Sequence, residues 1–69
     1  MDNKAPEVKR HTLTVIETAA YVGVSKECIY EMVRKKQIPH IRAQSRILFR
    51  VSTLDAWMEQ EEKRNLVAQ

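Results

Sequence analysis

The chain has 69 residues, a net charge of +3 and a single cysteine. It has room for one small domain, and with Cys28 alone it has no internal disulfide. The only glycine, Gly23, excludes the glycine-rich loops that hold phosphates in nucleotide-binding enzymes. His11 and His40 fit neither a catalytic arrangement nor a metal-ligand spacing. We therefore expect a protein that is not an enzyme and that binds no metal or cofactor.

The hydrophobicity pattern bears on cellular location. Residues 1–7 contain no apolar stretch of the kind found in a signal peptide. No run approaches the roughly 20 apolar residues of a membrane-spanning helix. The single cysteine is also typical of a reducing compartment. These features favour a cytoplasmic protein that does not enter a membrane.

Charge is distributed unevenly along the chain. Residues 25–51 carry seven Lys and Arg side chains and two Glu side chains, a net charge of +5. The segments on either side are neutral (residues 1–24) or acidic (residues 52–69, net −2). A basic central segment in a chain with an isoelectric point near 9.3 is typical of nucleic-acid binding.

The first helix is predicted from its two ends. Residues 1–12 are polar and aperiodic, so we expect a disordered arm there. Thr14 and Glu17 have the spacing of a capping box, which predicts a helix over 15–22. Gly23 then suits a helix end with positive φ. The residues predicted to share the buried side are Ile16, Ala19 and Ala20, with Val22 as a further candidate.

A second helix is predicted over 26–36, with Ser25 as its N-cap and Pro39 beyond its end. Its periodicity divides the side chains into two faces. The face predicted to be buried consists of Cys28, Ile29, Met32 and Val33. The opposite face consists of Glu27, Tyr30, Glu31 and Arg34, with Lys26 at its flank.

The period changes over residues 40–51. Ile41 and Ala43 alternate with polar residues. Farther on, Ile47, Phe49 and Val51 alternate with Leu48 and Arg50, which predicts a β-hairpin with one buried face and a tip over 44–46. A third helix is predicted over 53–63, with Ser52 and Asp55 as a capping pair. Its core contacts are predicted at Leu54, Trp57 and Met58, and Tyr21 is also predicted to be in the core. We expect one domain over 13–63 and a frayed tail over 64–69.

The spacing of Ala19, Gly23 and Ile29 matches a helix-turn-helix: a small residue where two helices touch, a turn residue with positive φ, and an apolar anchor. A helical hairpin without a DNA role has similar requirements. The basic hairpin that follows favours the first interpretation, because a two-stranded ribbon beside such a helix pair forms a wing. The predicted fold is therefore α+β, a small winged helix-turn-helix with two amino-terminal helices, a hairpin wing and a carboxy-terminal helix.

Several motifs carry a family resemblance. They are Leu13-Thr14-Val15, Glu17, Ala19-Ala20-Tyr21-Val22-Gly23-Val24-Ser25, Ile29-Tyr30, Val33, Ile38-Pro39 and Leu54-Asp55-Ala56-Trp57. In these motifs the chain resembles the excisionase-type winged helix-turn-helix proteins of the MerR superfamily. The resemblance implies that the second helix enters the major groove of DNA and that the wing tip reaches the adjacent minor groove. At the tip, Gln44-Ser45 replaces the Gly-Arg type that is common in the family.

Candidate DNA contacts follow from the residues and the resemblance together. Arg34 suits guanine, Glu27 suits a cytosine amino group, and Arg46 near the tip suits a narrow minor groove. The alternative for the helix residues is a solvated face with no contact to DNA. The alternative for the hairpin arginines is that their charges keep an edge strand from pairing with other chains. The full set of candidates is Thr14, Ser25, Lys26, Glu27, Tyr30, Arg34, Lys35, Lys36, Arg42, Gln44, Ser45 and Arg46.

The expected function is that of an excisionase, which binds and bends attachment-site DNA and so promotes integrase-mediated excision of a phage or mobile element. The expected partners are double-stranded DNA, a tyrosine-type integrase and further copies of the chain on adjacent sites. Two alternatives remain open: a transcriptional regulator of the same element, and an adaptor that binds protein instead of DNA.

Overall fold

A computed structural model describes residues 10–67 of the chain. Most of the predicted arm, residues 1–9, and the last two residues of the predicted tail lie outside this range. Three helices and three short strands make up the described part, which confirms the predicted α+β fold. In chain order they are β1 (Thr12–Leu13), α1 (Val15–Val22), α2 (Lys26–Arg34), β2 (Ile41–Ala43), β3 (Arg46–Arg50) and α3 (Val51–Val67).

Helix α1 has the predicted ends. The Glu17 backbone N–H donates to Thr14 Oγ1 at 3.2 Å, and the Thr14 N–H donates to Glu17 Oε1 at 2.9 Å, so the capping box is complete. The Thr14 hydrogen bond, together with an ion pair to Arg10 at 2.6 Å, lowers the pKa of Glu17. At the other end Gly23 has a φ of 95°, and its N–H donates to the Ala19 carbonyl at 2.8 Å. A residue with a Cβ would be strained in this conformation.

The buried side of α1 differs from the prediction. Val15, Thr18 and Ala19 are buried, whereas Ile16 is 65% exposed and Ala20 is also exposed. An eight-residue helix makes little more than two turns, so its apolar pattern fits more than one rotation about the helix axis. Packing against the rest of the core selects the rotation that leaves Ile16 at the surface.

Helix α2 begins as predicted, because Ser25 Oγ accepts from the Cys28 N–H at 3.1 Å. It ends at Arg34, two residues before the predicted end. Lys36 takes a φ of 57°, and its N–H donates to the Val33 carbonyl at 3.0 Å. The next N–H, that of Gln37, donates to the Met32 carbonyl at 2.8 Å, which completes a Schellman motif with lysine at the usual glycine position.

The core face of α2 is narrower than predicted. Ile29 and Val33 are buried and Met32 packs against the core, but Cys28 is exposed. Cys28 lies about 100° around the helix from Ile29, away from the direction of Val33. Because only one side of α2 packs on the domain, this rotation places the thiol in solvent. The prediction of Cys28 as a core residue was wrong.

The sheet has three antiparallel strands in the order β1-β3-β2, one more than the predicted hairpin. Strand β1 is too short to leave an alternation in the sequence, and it pairs Leu13 with Phe49. It includes Thr12, which the sequence assigned to the arm. Farther on, the Val51 N–H donates to the His11 carbonyl at 3.0 Å, so the segment before β1 also contacts the start of α3.

The register of the β2–β3 hairpin decides which side chains face α2. Ala43 pairs with Arg46 across a two-residue turn, and Arg42 pairs with Ile47. Paired residues lie on the same face of a sheet, so Arg42 shares the inner face with Ile47, and Ile41 shares the outer face with Leu48. The prediction that Ile41 and Ala43 share a buried face with Phe49 was therefore wrong, since both residues are exposed.

Helix α3 follows β3 without a loop, which places Ser52 inside the helix and rules it out as the N-cap. The helix continues to Val67, past the predicted start of fraying at residue 64. Its distal part is rich in Glu, Gln, Lys and Arg, which favour helix, and Arg64 pairs with Glu61 at 2.7 Å.

Helix α3 docks through a buried Leu54, and Trp57 packs against the core as predicted. Tyr21 is exposed instead of buried, and its hydroxyl donates to Asp55 Oδ1 at 2.6 Å. The phenol stays at the surface, where it can reach the exposed carboxylate of Asp55 on α3. The buried hydrophobic core consists of Val15, Ala19, Ile29, Val33, Ile38, Phe49 and Leu54.

Candidate nucleic-acid interface

The outward face of α2 is held in place by its own anchors. The left-handed turn at Gly23 and the cap at Ser25 set the start of the helix, and buried Ile29 and Val33 fix its rotation. Glu27, Tyr30 and Arg34, which are spaced at three and four residues, consequently lie on the opposite face and are exposed. The predicted outward face of this helix is confirmed.

An open groove of about 380 Å³ runs between this face and the sheet. We call it the helix groove. Arg42 enters its lining because the hairpin register turns that side chain to the inner face of the sheet. The lining residues are Glu27, Tyr30, Glu31, Val33, Arg34, Arg42 and Ile47. The groove thus combines donors and acceptors from α2 with an arginine of the hairpin.

A second open groove, of about 400 Å³, lies between the start of α1 and the hairpin tip. We call it the wing groove. Its lining residues are Thr14, Val15, Ile16, Tyr30, Ser45, Arg46, Ile47 and Leu48. Two residues, Tyr30 and Ile47, line both grooves. Arg34 and Arg46 therefore line adjoining grooves, although Arg46, which pairs with Ala43, extends from the outer face of the hairpin, opposite to Arg42.

The two hairpin-turn residues have different roles in this geometry. Gln44 has a φ of 56° and Ser45 does not share this positive sign, which is the sign pattern of a type II′ turn. Ser45 lines the wing groove, whereas Gln44 is exposed outside both grooves. Arg46 is the first residue of β3 and not part of the turn, so its backbone is fixed by pairing with Ala43.

The remaining predicted residues lie around the margin of the surface. Lys26, Lys35 and Lys36 are exposed and line neither groove. Lys36 lines a separate open depression of about 480 Å³ that follows α2 and continues to His40. Thr14 and Ser25 each accept one backbone N–H as helix caps, and their hydroxyl hydrogens can still be donated to another acceptor such as a phosphate oxygen.

Six lining residues of this surface were absent from the predicted set: Val15, Ile16, Glu31, Val33, Ile47 and Leu48. Ile16 lines the wing groove, but its apolar character indicated the core. Glu31 lines the helix groove, where it accepts from Arg34 at 2.5 Å and pairs with Lys35 at 3.2 Å. These hydrogen bonds, from Arg34 first and Lys35 second, lower the pKa of Glu31. In the sequence, the signal for this ion-pair cluster is that Arg34 and Lys35 follow Glu31 by three and four residues on one helix.

Within residues 10–67 no group of three or more His, Cys, Asp or Glu side chains is arranged to hold a metal ion. No helix in the same range is both long and apolar enough to cross a membrane.

Comparison with known families decides the class of this surface. The helix-turn-helix domain family matches residues 12–62, well over half of the chain. The chain belongs to this family. It is a DNA-binding helix-turn-helix protein, and α2 is the second helix of the motif. Searches of curated proteins and of solved structures give no significant match.

Proposed function

We propose that this protein is an excisionase that binds and bends attachment-site DNA. In this proposal α2 enters the major groove, where Arg34 and Glu27 contact base edges. Arg46 enters the adjacent minor groove from the wing. Lys26, Lys35, Lys36 and Arg42 neutralise phosphates, and Thr14, Ser25, Tyr30, Gln44 and Ser45 complete the contacts.

The observation that supports the proposal most strongly is the continuity of the helix groove and the wing groove through Tyr30 and Ile47. A recognition helix and a wing act together on one duplex only if they share a face. A small protein that contacts both the major groove and the adjacent minor groove of DNA can also bend the duplex. Of the seven cations over residues 25–51, Arg34, Arg42 and Arg46 line the two grooves, and the three lysines lie at their margin.

A single module of this size buries roughly 600–1,000 Å² on DNA, which gives modest affinity. We therefore propose that several copies bind adjacent sites and that a tyrosine-type integrase is the functional partner. The acidic residues between 52 and 67, on α3, are candidates for such contacts, because their charge opposes that of the proposed DNA-binding face. The cytoplasm is the proposed location.

The test has three stages. In vitro selection from a random duplex library identifies a site, and circular-permutation gel shifts on that site measure bending. A plasmid carrying the attachment sites of the neighbouring mobile element then reports excision by its integrase with and without the protein. The proposal expects a bend and protein-dependent excision. Site-specific binding that alters transcription but not excision would contradict it in favour of a regulator, and salt-insensitive or absent DNA binding would favour an adaptor.

A further inference from the structure

Glu31 occupies an unusual place for a carboxylate. It lines the helix groove, on the face that the proposed function directs at DNA. Its two oxygens are divided between two cations: Oε1 accepts from Arg34 and Oε2 pairs with Lys35. Both cations are proposed DNA contacts, Arg34 to a base edge of the selected site and Lys35 to a phosphate. On DNA without that site, both could bind phosphates instead, and Glu31 holds both.

The carboxylate and the DNA phosphates compete for the same donors. A guanidinium that is held by a carboxylate has fewer N–H groups free, and a carboxylate near a phosphate adds like-charge repulsion. DNA of arbitrary sequence offers these side chains mainly phosphates. To bind them, it must break the ion pairs of Glu31 with Arg34 and Lys35, and it offers no specific base contact in return. A cognate base edge offers a directed hydrogen bond, and an arginine already oriented by Glu31 loses less conformational freedom in making it.

We propose that Glu31 is a positioning residue that restrains Arg34 and Lys35 and thereby lowers the affinity of the protein for DNA of arbitrary sequence. This inference rests on the proposed use of the α2 face in DNA binding. It assigns to an acidic side chain a role in specificity, since weaker binding elsewhere raises the ratio of specific to non-specific affinity.

The chain contains a matched control. Glu61 pairs with Arg64 at the same three-residue spacing on α3, and neither residue lines the helix groove or the wing groove. Glu31→Gln and Glu61→Gln therefore remove the same charge and an arginine pair of the same spacing from two different places, and Glu31→Gln also removes the pair with Lys35. Glu27→Gln serves as a second control, because it removes a carboxylate from the helix groove and leaves the pairing of Glu31 intact.

The experiment measures binding of each full-length variant to a fluorescein-labelled 20-base-pair duplex of scrambled sequence by anisotropy, from about 50 to 200 mM salt. We expect Glu31→Gln to bind this duplex about 5- to 10-fold more tightly than the parent protein. We also expect a log Kd against log salt slope steeper by about 1 to 2, because two cations become free for phosphates. Glu61→Gln should stay within about twofold of the parent, with the parental slope. Thermal melts establish that each variant is folded.

Three results would overturn the inference, and they are distinguishable. If Glu31→Gln and Glu61→Gln give equal affinities and slopes, Glu31 does not restrain DNA binding. If Glu27→Gln steepens the slope as much as Glu31→Gln, the effect is one of charge alone and not of positioning. If neither the parent nor any variant binds duplex DNA, the proposed function fails and this inference fails with it.

Discussion

Tyr30 of α2 and Ile47 of β3 line two adjoining grooves and so join the helix-turn-helix to its wing. Arg34 and Arg42 lie on one side of this pair, and Arg46 lies on the other. The outward face of the helix, which carries both charges, thereby adjoins a ribbon with two lining arginines. The family match makes this a DNA-binding fold, and the surface shows which side chains are available for the contact.

The first prediction concerns base recognition. Arg34→Ala should lower affinity for a selected site by about 1–3 kcal/mol and relax sequence preference at one position, because a bidentate contact is lost. Anisotropy titrations on the selected site and its single-base variants measure both effects. Arg64→Ala is the matched control, since it removes an arginine with the same type of partner on α3. Equal effects of the two substitutions would place Arg34 outside the base contacts.

The second prediction concerns the wing. Arg46→Ala should weaken binding and reduce the bend of the duplex, because an arginine in a narrow minor groove gains from its concentrated negative potential. Arg50, at the other end of the same strand, lines neither the helix groove nor the wing groove, so Arg50→Ala serves as the control. Circular-permutation gel shifts give the bend angle. An unchanged angle in Arg46→Ala would remove the wing from the bending mechanism.

The third prediction concerns the docking of α3. Leu54 is fully buried, and Leu54→Ala should destabilise the domain by about 2–5 kcal/mol through lost apolar contact and a cavity. Trp57 is only partly buried, so its truncation should cost less than its size suggests. Leu66→Ala, at a position that is 72% exposed, should leave the melting temperature unchanged. Thermal denaturation followed by circular dichroism compares the three variants, and equal melting temperatures would contradict the packing of α3.

The fourth prediction concerns the one buried polar side chain of the described core. Thr18 is fully buried in α1, and its Oγ1 has no hydrogen-bond partner within the described residues. Thr18→Val should therefore stabilise the domain by about 1 kcal/mol, because an unsatisfied hydroxyl is replaced by a methyl group of similar shape. Thr53→Val, at an exposed position, is the control. A lower denaturation midpoint for Thr18→Val in urea would show that the hydroxyl is satisfied in the native state.

The fifth prediction concerns alkaline pH. The hydrogen bond to Asp55, followed by burial, raises the pKa of Tyr21 above its ordinary value of 10.0. The neutral phenol is thus favoured in the folded state. Its stabilising effect is fully present below pH 10 and is lost as pH rises through the higher pKa of the folded state.

Replacement of Tyr21 by Phe should accordingly flatten the decline in folding stability above pH 10. Tyr30→Phe is the control, because Tyr30 lines the helix groove and it is Tyr21 whose hydroxyl donates to Asp55. Urea denaturation at a series of pH values measures the difference. If the folding stability of Tyr21→Phe falls above pH 10 as steeply as that of Tyr30→Phe, the hydrogen bond from Tyr21 to Asp55 does not cause the alkaline loss of stability.

Local signals in the sequence predicted the helix-turn-helix well. The capping box at Thr14, the turn at Gly23 and the N-cap at Ser25 each involve neighbours within four residues, and all three are present. The outward face of α2 followed from the spacing of Ile29 and Val33. These features depend on hydrogen bonds and periodicities that a short segment determines by itself.

Features that depend on distant partners were not predictable in the same way. Strand β1 exists because Leu13 pairs with Phe49, 36 residues later, and two residues carry no alternation. The surface positions of Ile16 and Cys28 depend on how short helices rotate against the core. Arg42 faces α2 because a two-residue turn sets the hairpin register. The turn was not predictable, because Gln44-Ser45 is not one of the Asn-Gly or Asp-Gly pairs that are typical of such turns.

Titration of unlabelled duplex into ¹⁵N-labelled protein tests the shared DNA-binding face most directly. The amide signals of α2 and of the wing, from Tyr30 and Arg34 through Arg46, should shift together and saturate at one stoichiometry. Signals of the distal part of α3, around Glu61, should remain in place. Shifts confined to α3, or shifts in α2 and the wing that saturate at different DNA concentrations, would contradict a single surface.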